Sequence, residues 1–299
     1  MSSIVLLIVC LVLGAIVARL GKPARVFAQS LNWWVINVAL TALVLRLIPT
    51  IELHFDLWFL AVSMWFVFLG GWAFIAAIGR KRGWSRERIG ALTLVCGLGN
   101  TSFVGFPLIE ALRGQEGLKL ALVTDQVGCF LALAIGGSIV AAMYSGRAVT
   151  PTGIVRKVVL FPPFIGLIVG IGAGAAGGWH PILDDVFGRI GATLVPLALF
   201  SVGLQFSLRV DKSQFEALAI GLGWKLVLAP LLVYFIGVAA QVEGRLLAIG
   251  VLESAMAPMI SAAILASDHG LEPELANAVL GVGILLSFVT VPLANAWLG

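Results

Sequence analysis

The sequence predicts an all-α polytopic membrane protein: ten transmembrane helices laid out as two inverted five-helix repeats, with helices 4 and 9 broken and crossing at their breaks. Three observations point there. Of the 299 residues, 60% are hydrophobic and 11% charged, against roughly a quarter charged in a soluble domain. The apolar residues gather into ten runs, each about 20 residues or more and so long enough to cross a bilayer as helix. Two of these runs interrupt themselves, "GLGNTSFVGFPL" (97–108) and "ESAMAPMISAAI" (253–264), with glycine, proline and small polar side chains in apolar surroundings.

In order, the runs are 3–20, 27–48, 57–79, 88–113, 118–144, 158–178, 186–207, 213–239, 245–268 and 273–298. None alternates with the period of barrel strands, and a backbone in lipid must close its own hydrogen bonds, which leaves helices. The first run looks like a signal peptide but lacks a basic leader, and its first positive residue, Arg19, follows the apolar stretch. It is therefore expected to be a retained span with its N-terminus outside. The second carries Asn32 and Asn37, residues that more often bond between helices than to a ligand. The fourth and ninth are the interrupted runs; the fifth carries Asp125 and Gln126, the eighth Lys225. In the sixth, "GAGAAG" fits a dinucleotide-binding pattern, but no strand precedes it, and Gly166, Gly170 and Gly174 read as a stripe for close helix packing.

Lys and Arg set the orientation. Residues 19, 22, 25, 80, 81, 82, 86, 88, 147, 156, 157, 209 and 212 fall in the loops placed inside, thirteen in all, against five outside (46, 113, 119, 189 and 245). Both termini are thus expected outside the cytoplasm, in a bacterial inner (plasma) membrane. Residues 88–122 parallel 245–279 in plan: a broken apolar run, a short "G-x-E" loop and another span. Residues 1–144 form the first five-span repeat, 145–157 a basic cytoplasmic linker, and 158–299 the second repeat. An odd number of spans per unit inserts the second copy upside down.

Several function classes drop out. No basic and aromatic patch suggests nucleic acid. The three cysteines (Cys10, Cys96, Cys129) lie far apart in apolar stretches and read as core residues. The three histidines (His54, His180, His269) fall in different loops without metal-ligand spacing. No metal or cofactor is expected. Neither HExxH, nor a paired serine and histidine, nor two membrane aspartates of an aspartyl protease is visible, so the chain is not expected to be an enzyme. Asn100-Thr101-Ser102 matches a glycosylation acceptor but lies mid-membrane. The tryptophans read as interfacial anchors, and Arg46 and Glu110 lie close enough to the outer surface to reach water.

The broken runs carry the functional argument. Proline removes an amide donor, and neighbouring glycines lower the cost of leaving helical geometry. Non-helical backbone at this depth survives only against protein or a water-filled cavity. Paired breaks in two halves point to a midplane transport site, with packing kinks as the alternative. Half-helices starting near Phe106–Pro107 and near Pro258–Met259 would aim their positive ends at one point, suited to a carboxylate. Asn100, Thr101, Ser102, Gly105, Pro107, Ser254, Ala257, Pro258 and Ser261 are the candidate substrate-binding residues. Asp125, Gln126, Glu253 and Lys225 are candidates for ion coupling; Glu253 either binds a proton or sodium ion or pairs with Lys225.

"GNTSFVGFPLIEAL", "LVPLALFSVGLQFSL" and "ESAMAPMISAAILASDHGLEPELANAVLGVGILLSFVTVPLANAWL" resemble the auxin efflux carrier family of membrane transport proteins, which includes bacterial malate and malonate permeases. The resemblance covers the whole chain. It implies a scaffold from helices 1, 2, 6 and 7, a transport domain from helices 3–5 and 8–10, and a homodimer. Asn100 and Pro107 match the family's first crossover and Pro258 its second. Thr41 stands where the family often has proline, so the second span is expected to be straighter. The expected function is secondary transport of small organic anions (malate, malonate or auxin-like acids) by alternating access. The alternative is a sodium- or proton-coupled symporter or antiporter of the bile acid:sodium symporter or cation/proton antiporter type. Expected partners are a small carboxylate, the lipid bilayer and Na+ or H+.

Overall fold

The computed structural model describes residues 2–21, 25–52, 54–148, 150–205 and 210–299. Among them the regular structure is helix, apart from one isolated β-bridge. Lys22 and Arg209, both used in the charge count, lie outside the described residues.

In chain order the helices are α1 (Ser2–Leu20), α2 (Arg25–Trp34), α3 (Thr41–Leu47), α4 (Trp58–Arg82), α5 (Arg86–Gly97), α6 (Phe106–Val123), α7 (Ser138–Ser145) and α8 (Pro151–Val159). They continue as α9 (Pro162–Ala175), α10 (Pro181–Gly191), α11 (Leu194–Leu204), α12 (Phe215–Gly223), α13 (Ala229–Ala239), α14 (Gly244–Ser254), α15 (Ile260–Asp268) and α16 (Pro273–Leu298). Among the described residues, six helical stretches are long and apolar enough to cross a membrane, seven if α8 and α9, bent by 58°, count as one span.

π-Helical turns join several of these pieces into longer helices. Val35–Leu40 links α2 to α3 without a break, so the span carrying Thr41 is continuous. The predicted loop after residue 113 is a single kink in α6 at Gly114, whose φ of 68° suits a residue without Cβ. The linker 145–157 is partly ordered as α8.

The chain divides into two compact units, each drawing on both halves of the sequence. One comprises Met1–His54, Ser102–Leu122 and Val155–Phe206; the other comprises Phe55–Thr101, Val123–Ile154 and Ser207–Gly299.

In the first unit, α1 packs on α11 and α3 on α9. Gly14 and Gly203 let the α1 and α11 backbones touch: a Cβ at Gly14 would collide with the Phe200 carbonyl oxygen, and one at Gly203 with that of Leu11. The stripe in α9 works as its spacing suggests, with Gly166 over Thr41, Gly170 over Ile48 and Gly174 over Pro49. Association inside lipid gains little from the hydrophobic effect, so close backbone approach and side-chain hydrogen bonds hold such pairs. Ser201 Oγ donates to Asn32 Oδ1 at 2.5 Å, an interhelical bond of the kind expected. Asn37 instead donates to the Trp33 carbonyl of its own helix. Trp179 Nε1 donates to the Leu45 carbonyl at 2.7 Å and Trp34 Nε1 to Thr193 Oγ1 at 3.1 Å.

In the second unit, α4 is central. Phe59 fits over Gly237 and Gly250, and Phe68 over Gly97 and Gly136, and both rings are fully buried. Cys96 lies buried under Gly221. At the polar ends Arg88 pairs with Glu272 at 3.0 Å and Arg82 with Glu216. α4 stops at Gly83 (φ 66°), and Ser85 then caps α5 by accepting the Arg88 amide hydrogen at 3.1 Å.

Because the obstacle at Gly203 is backbone, a side chain there cannot be accommodated by a rotamer change. Gly203→Val is expected to cost about 1–3 kcal/mol or more through overpacking and to lower the apparent melting temperature in detergent, whereas Gly172→Ala, at a position with open space around it, leaves it unchanged.

Candidate functional site

The site grows from two places where helix stops inside the second unit. α5 ends at Gly97, and Leu98 turns to extended backbone (φ −117°, ψ 138°). α14 ends at Ser254, and α15 starts after Met259, itself extended (φ −81°, ψ 128°). The two interruptions lie side by side. Gly99 and Pro258 form an antiparallel β-bridge, and the Asn100 amide donates to the Ala257 carbonyl at 2.8 Å. Each break thus supplies a backbone partner to the other where both are buried in protein.

Three further residues, Cys129, Lys225 and Gly283, hold the crossing. Cys129 Sγ donates to the Gly99 carbonyl at 3.2 Å. Lys225 reaches in from the π-helical turn Trp224–Leu228, and its Nζ donates to the Ser254 carbonyl at 2.7 Å. That carbonyl ends α14, where the helix carries partial negative charge that an ammonium complements. Gly99 leaves the ammonium room: a Cβ there would stand 3.1 Å from Lys225 Nζ and 3.3 Å from the Glu253 carbonyl oxygen. Gly283 of α16 does the same for Pro258, whose ring a Cβ would strike.

The acidic candidates divide. Asp125 is saturated by its neighbours: Thr101 Oγ1 donates to Oδ1 and Gln126 Nε2 to Oδ2, the latter at 2.8 Å. Glu253 is fully buried, yet neither carboxyl oxygen has a hydrogen-bond partner among the described residues. The ion pair weighed for Glu253 and Lys225 does not form within 4.0 Å; the ammonium donates to the Ser254 backbone carbonyl at the end of α14 instead.

Asn100, Thr101, Ser254, Ala257 and Pro258 therefore gather with Lys225, Glu253, Asp125 and Gln126, all of them buried. Two hydroxyls are already committed, Thr101 to Asp125 and Ser254 to the Val251 carbonyl at 2.6 Å. Ser261 is half-buried in the first turn of α15, whose leading amides have no preceding turn to bond. The restart of the fourth span differs from expectation. Helix resumes at Thr101 as a π-turn, five residues before Phe106, because the wider turn absorbs the missing amide of Pro107. Ser102, Gly105 and Pro107 belong to the first unit. There Pro107 lines a cavity of about 260 Å³ with Phe106, Arg46, Glu110 and Gln115.

Sequence reasoning missed Cys129 and Gly283 as parts of the crossing. A lone cysteine and a glycine in an apolar helix carry no signal of the backbone they will meet. It also did not foresee that Arg46 and Glu110 line a cavity, although the Arg46 side chain is 42% exposed, in keeping with a group that reaches water.

The family described as Membrane transport protein matches residues 1–294. The chain is 26% identical over 296 residues to an uncharacterized transporter of Methanothermobacter thermautotrophicus, covering 98% of this chain and 96% of that one. It is also 26% identical over 303 residues to the uncharacterized transporter YfdV of Escherichia coli K12, covering 96% and 94%. An uncharacterized transporter of Methanocaldococcus jannaschii is 25% identical over 219 residues, 69% of this chain and 68% of that one.

Lys225→Met would keep the bulk of the stem and remove the donor to Ser254. Leaving that buried carbonyl unpaired costs about 1–3 kcal/mol, so the variant is expected to unfold at a lower temperature than wild type in the same detergent; an unchanged melting curve would show that the ammonium does not hold the crossing.

Proposed function

Because the chain belongs to the membrane transport protein (auxin efflux carrier) family, we propose that it is a secondary carrier of small organic anions, working by alternating access at the crossing of its two broken spans. One observation carries this reading: the Asn100 amide bonded to the Ala257 carbonyl, which ties the two interruptions together. Backbone that leaves helical geometry within apolar spans is kept where it lines a path. A carboxylate would accept hydrogen bonds from the Asn100 side chain and from the leading amides of α15, beside Ser261. The positive end of that helix favours the charge.

In this reading the chain has ten spans in two inverted five-span repeats. Six helical stretches qualify on their own, and α5, α14 and α15 are the short pieces that breaks leave behind. The first compact unit holds α1–α3 and α9–α11 in full, as the scaffold would, together with Ser102–Leu122 of the fourth and fifth spans, and the second holds α4, α5, α7 and α12–α16, as the transport domain would. Both termini lie outside the cytoplasm, the membrane is a bacterial plasma membrane, and the carrier is a homodimer.

A second reading is favoured by Glu253. A buried carboxylate costs free energy unless something balances it, and with no donor among the described residues a proton or sodium ion would serve. Transport would then be coupled to one of these ions.

Asn100→Ala is the direct test. A hydrogen bond to a charged group is worth about 1.5–3 kcal/mol, so malate or malonate uptake into proteoliposomes is expected to fall about tenfold or more, with the melting temperature kept. Uptake at the wild-type rate would remove the crossing as the substrate site. Coupling is read separately: Glu253→Gln should lose accumulation against a gradient but keep exchange, and accumulation indifferent to proton and sodium ionophores would end the coupled reading.

A further inference from the structure

The first compact unit holds the cavity of about 260 Å³ next to Pro107. It is smaller than the roughly 300–1,000 Å³ of sites for drug-sized ligands, so it suits a metabolite of few atoms. Most of its wall is apolar, including Leu43, Phe106, Leu118 and Val195. Two opposite charges, Arg46 and Glu110, stand in the same wall and are not paired with each other within 4.0 Å.

Both charges are held and both are left incomplete. The Arg46 guanidinium lies against the Gly188 backbone, where a Cβ would stand 2.6 Å from Nη1 and 2.7 Å from Cζ. Asp184 Oδ2 is 3.5 Å from Arg46 Nε. The Arg46 side chain is 42% exposed, and its two terminal amino groups find no hydrogen-bond partner among the described residues. On the other side Gln115 Nε2 donates to Glu110 Oε1, leaving Oε2 without a donor among them. A simple anion would satisfy Arg46 but meet Glu110, and a dicarboxylate would set its second charge in the same field. A molecule carrying both signs answers both walls.

We infer that this cavity is a recognition site for a small zwitterion, an α-amino acid with a compact apolar side chain, its carboxylate on the terminal amino groups of Arg46 and its ammonium on Glu110. The inference goes beyond the anion-carrier reading: the zwitterion is a second ligand of this chain, bound at a site other than the crossing. Lys in place of Arg46 would not do, because a guanidinium offers a carboxylate two parallel donors where an ammonium is a point charge.

The test is equilibrium binding to the purified full-length protein in nanodiscs, with L-valine, isovalerate (no ammonium) and isobutylamine (no carboxylate) as probes. L-Valine is expected to bind at least tenfold more tightly than either analogue, and Arg46→Gln and Glu110→Gln are each expected to weaken it at least tenfold. Gly188→Ala, which displaces the guanidinium, should do likewise. Isovalerate or malate binding as tightly as L-valine, or no binding of L-valine, would overturn the site; the probe series on wild type decides even if a variant fails to fold. Valine binding that survives in Asn100→Ala, together with normal uptake by that variant, would remove the crossing and leave this cavity standing.

Discussion

The second unit depends on one constraint: a backbone that stops being helical in an apolar environment must find partners for the peptide groups it frees. Two spans break, and the breaks pair. The Asn100 amide meets the Ala257 carbonyl, and Gly99 bridges Pro258. Everything around them serves that approach. Gly283 makes way for the proline ring, Gly99 makes way for Lys225, and Cys129 and Lys225 occupy carbonyls that the bridge leaves over. Each break exposes donors and acceptors that the other break, Cys129 and Lys225 between them satisfy.

Packing elsewhere follows the same economy of space. With little hydrophobic gain from moving a helix out of lipid, pairs are held by contact at short range. In the first unit that contact is backbone on backbone, α1 against α11 at Gly14 and Gly203. In the second it is aromatic knobs in glycine holes, Phe59 at Gly237 and Gly250, Phe68 at Gly97 and Gly136. Glycine costs helix stability in water, but here each one removes a Cβ that would hold two helices apart.

The buried charges divide into finished and unfinished. Asp125 has donors on both oxygens, and Lys225 spends its ammonium on a helix end. Those arrangements are complete as structure. Glu253 is as deeply buried and has no donor at either oxygen among the described residues. Unbalanced polar groups are costly in a low-dielectric interior, which is why Glu253 is proposed to take up a proton or ion. In the first unit the more exposed Arg46 and Glu110 are each anchored on one side and, in the proposed site, open to a ligand on the other.

What the sequence by itself determined is what period, length and composition control: a helical membrane chain, the apolar runs, the interruptions near Asn100 and Pro258, the close-packing face of Gly166, Gly170 and Gly174. These are local properties, since a run of apolar residues or a glycine every fourth position acts wherever it lies. The partners were decided by tertiary structure. That Lys225 would go to the Ser254 carbonyl rather than to Glu253, that Thr101 would serve Asp125, and that Cys129, 30 residues away, would cap Gly99 depend on distances between segments remote in the chain. The restart at Thr101 rather than Phe106 has the same origin. Proline signals that a turn will lack one bond, but how far back the helix begins depends on the backbone that waits to pair with Asn100.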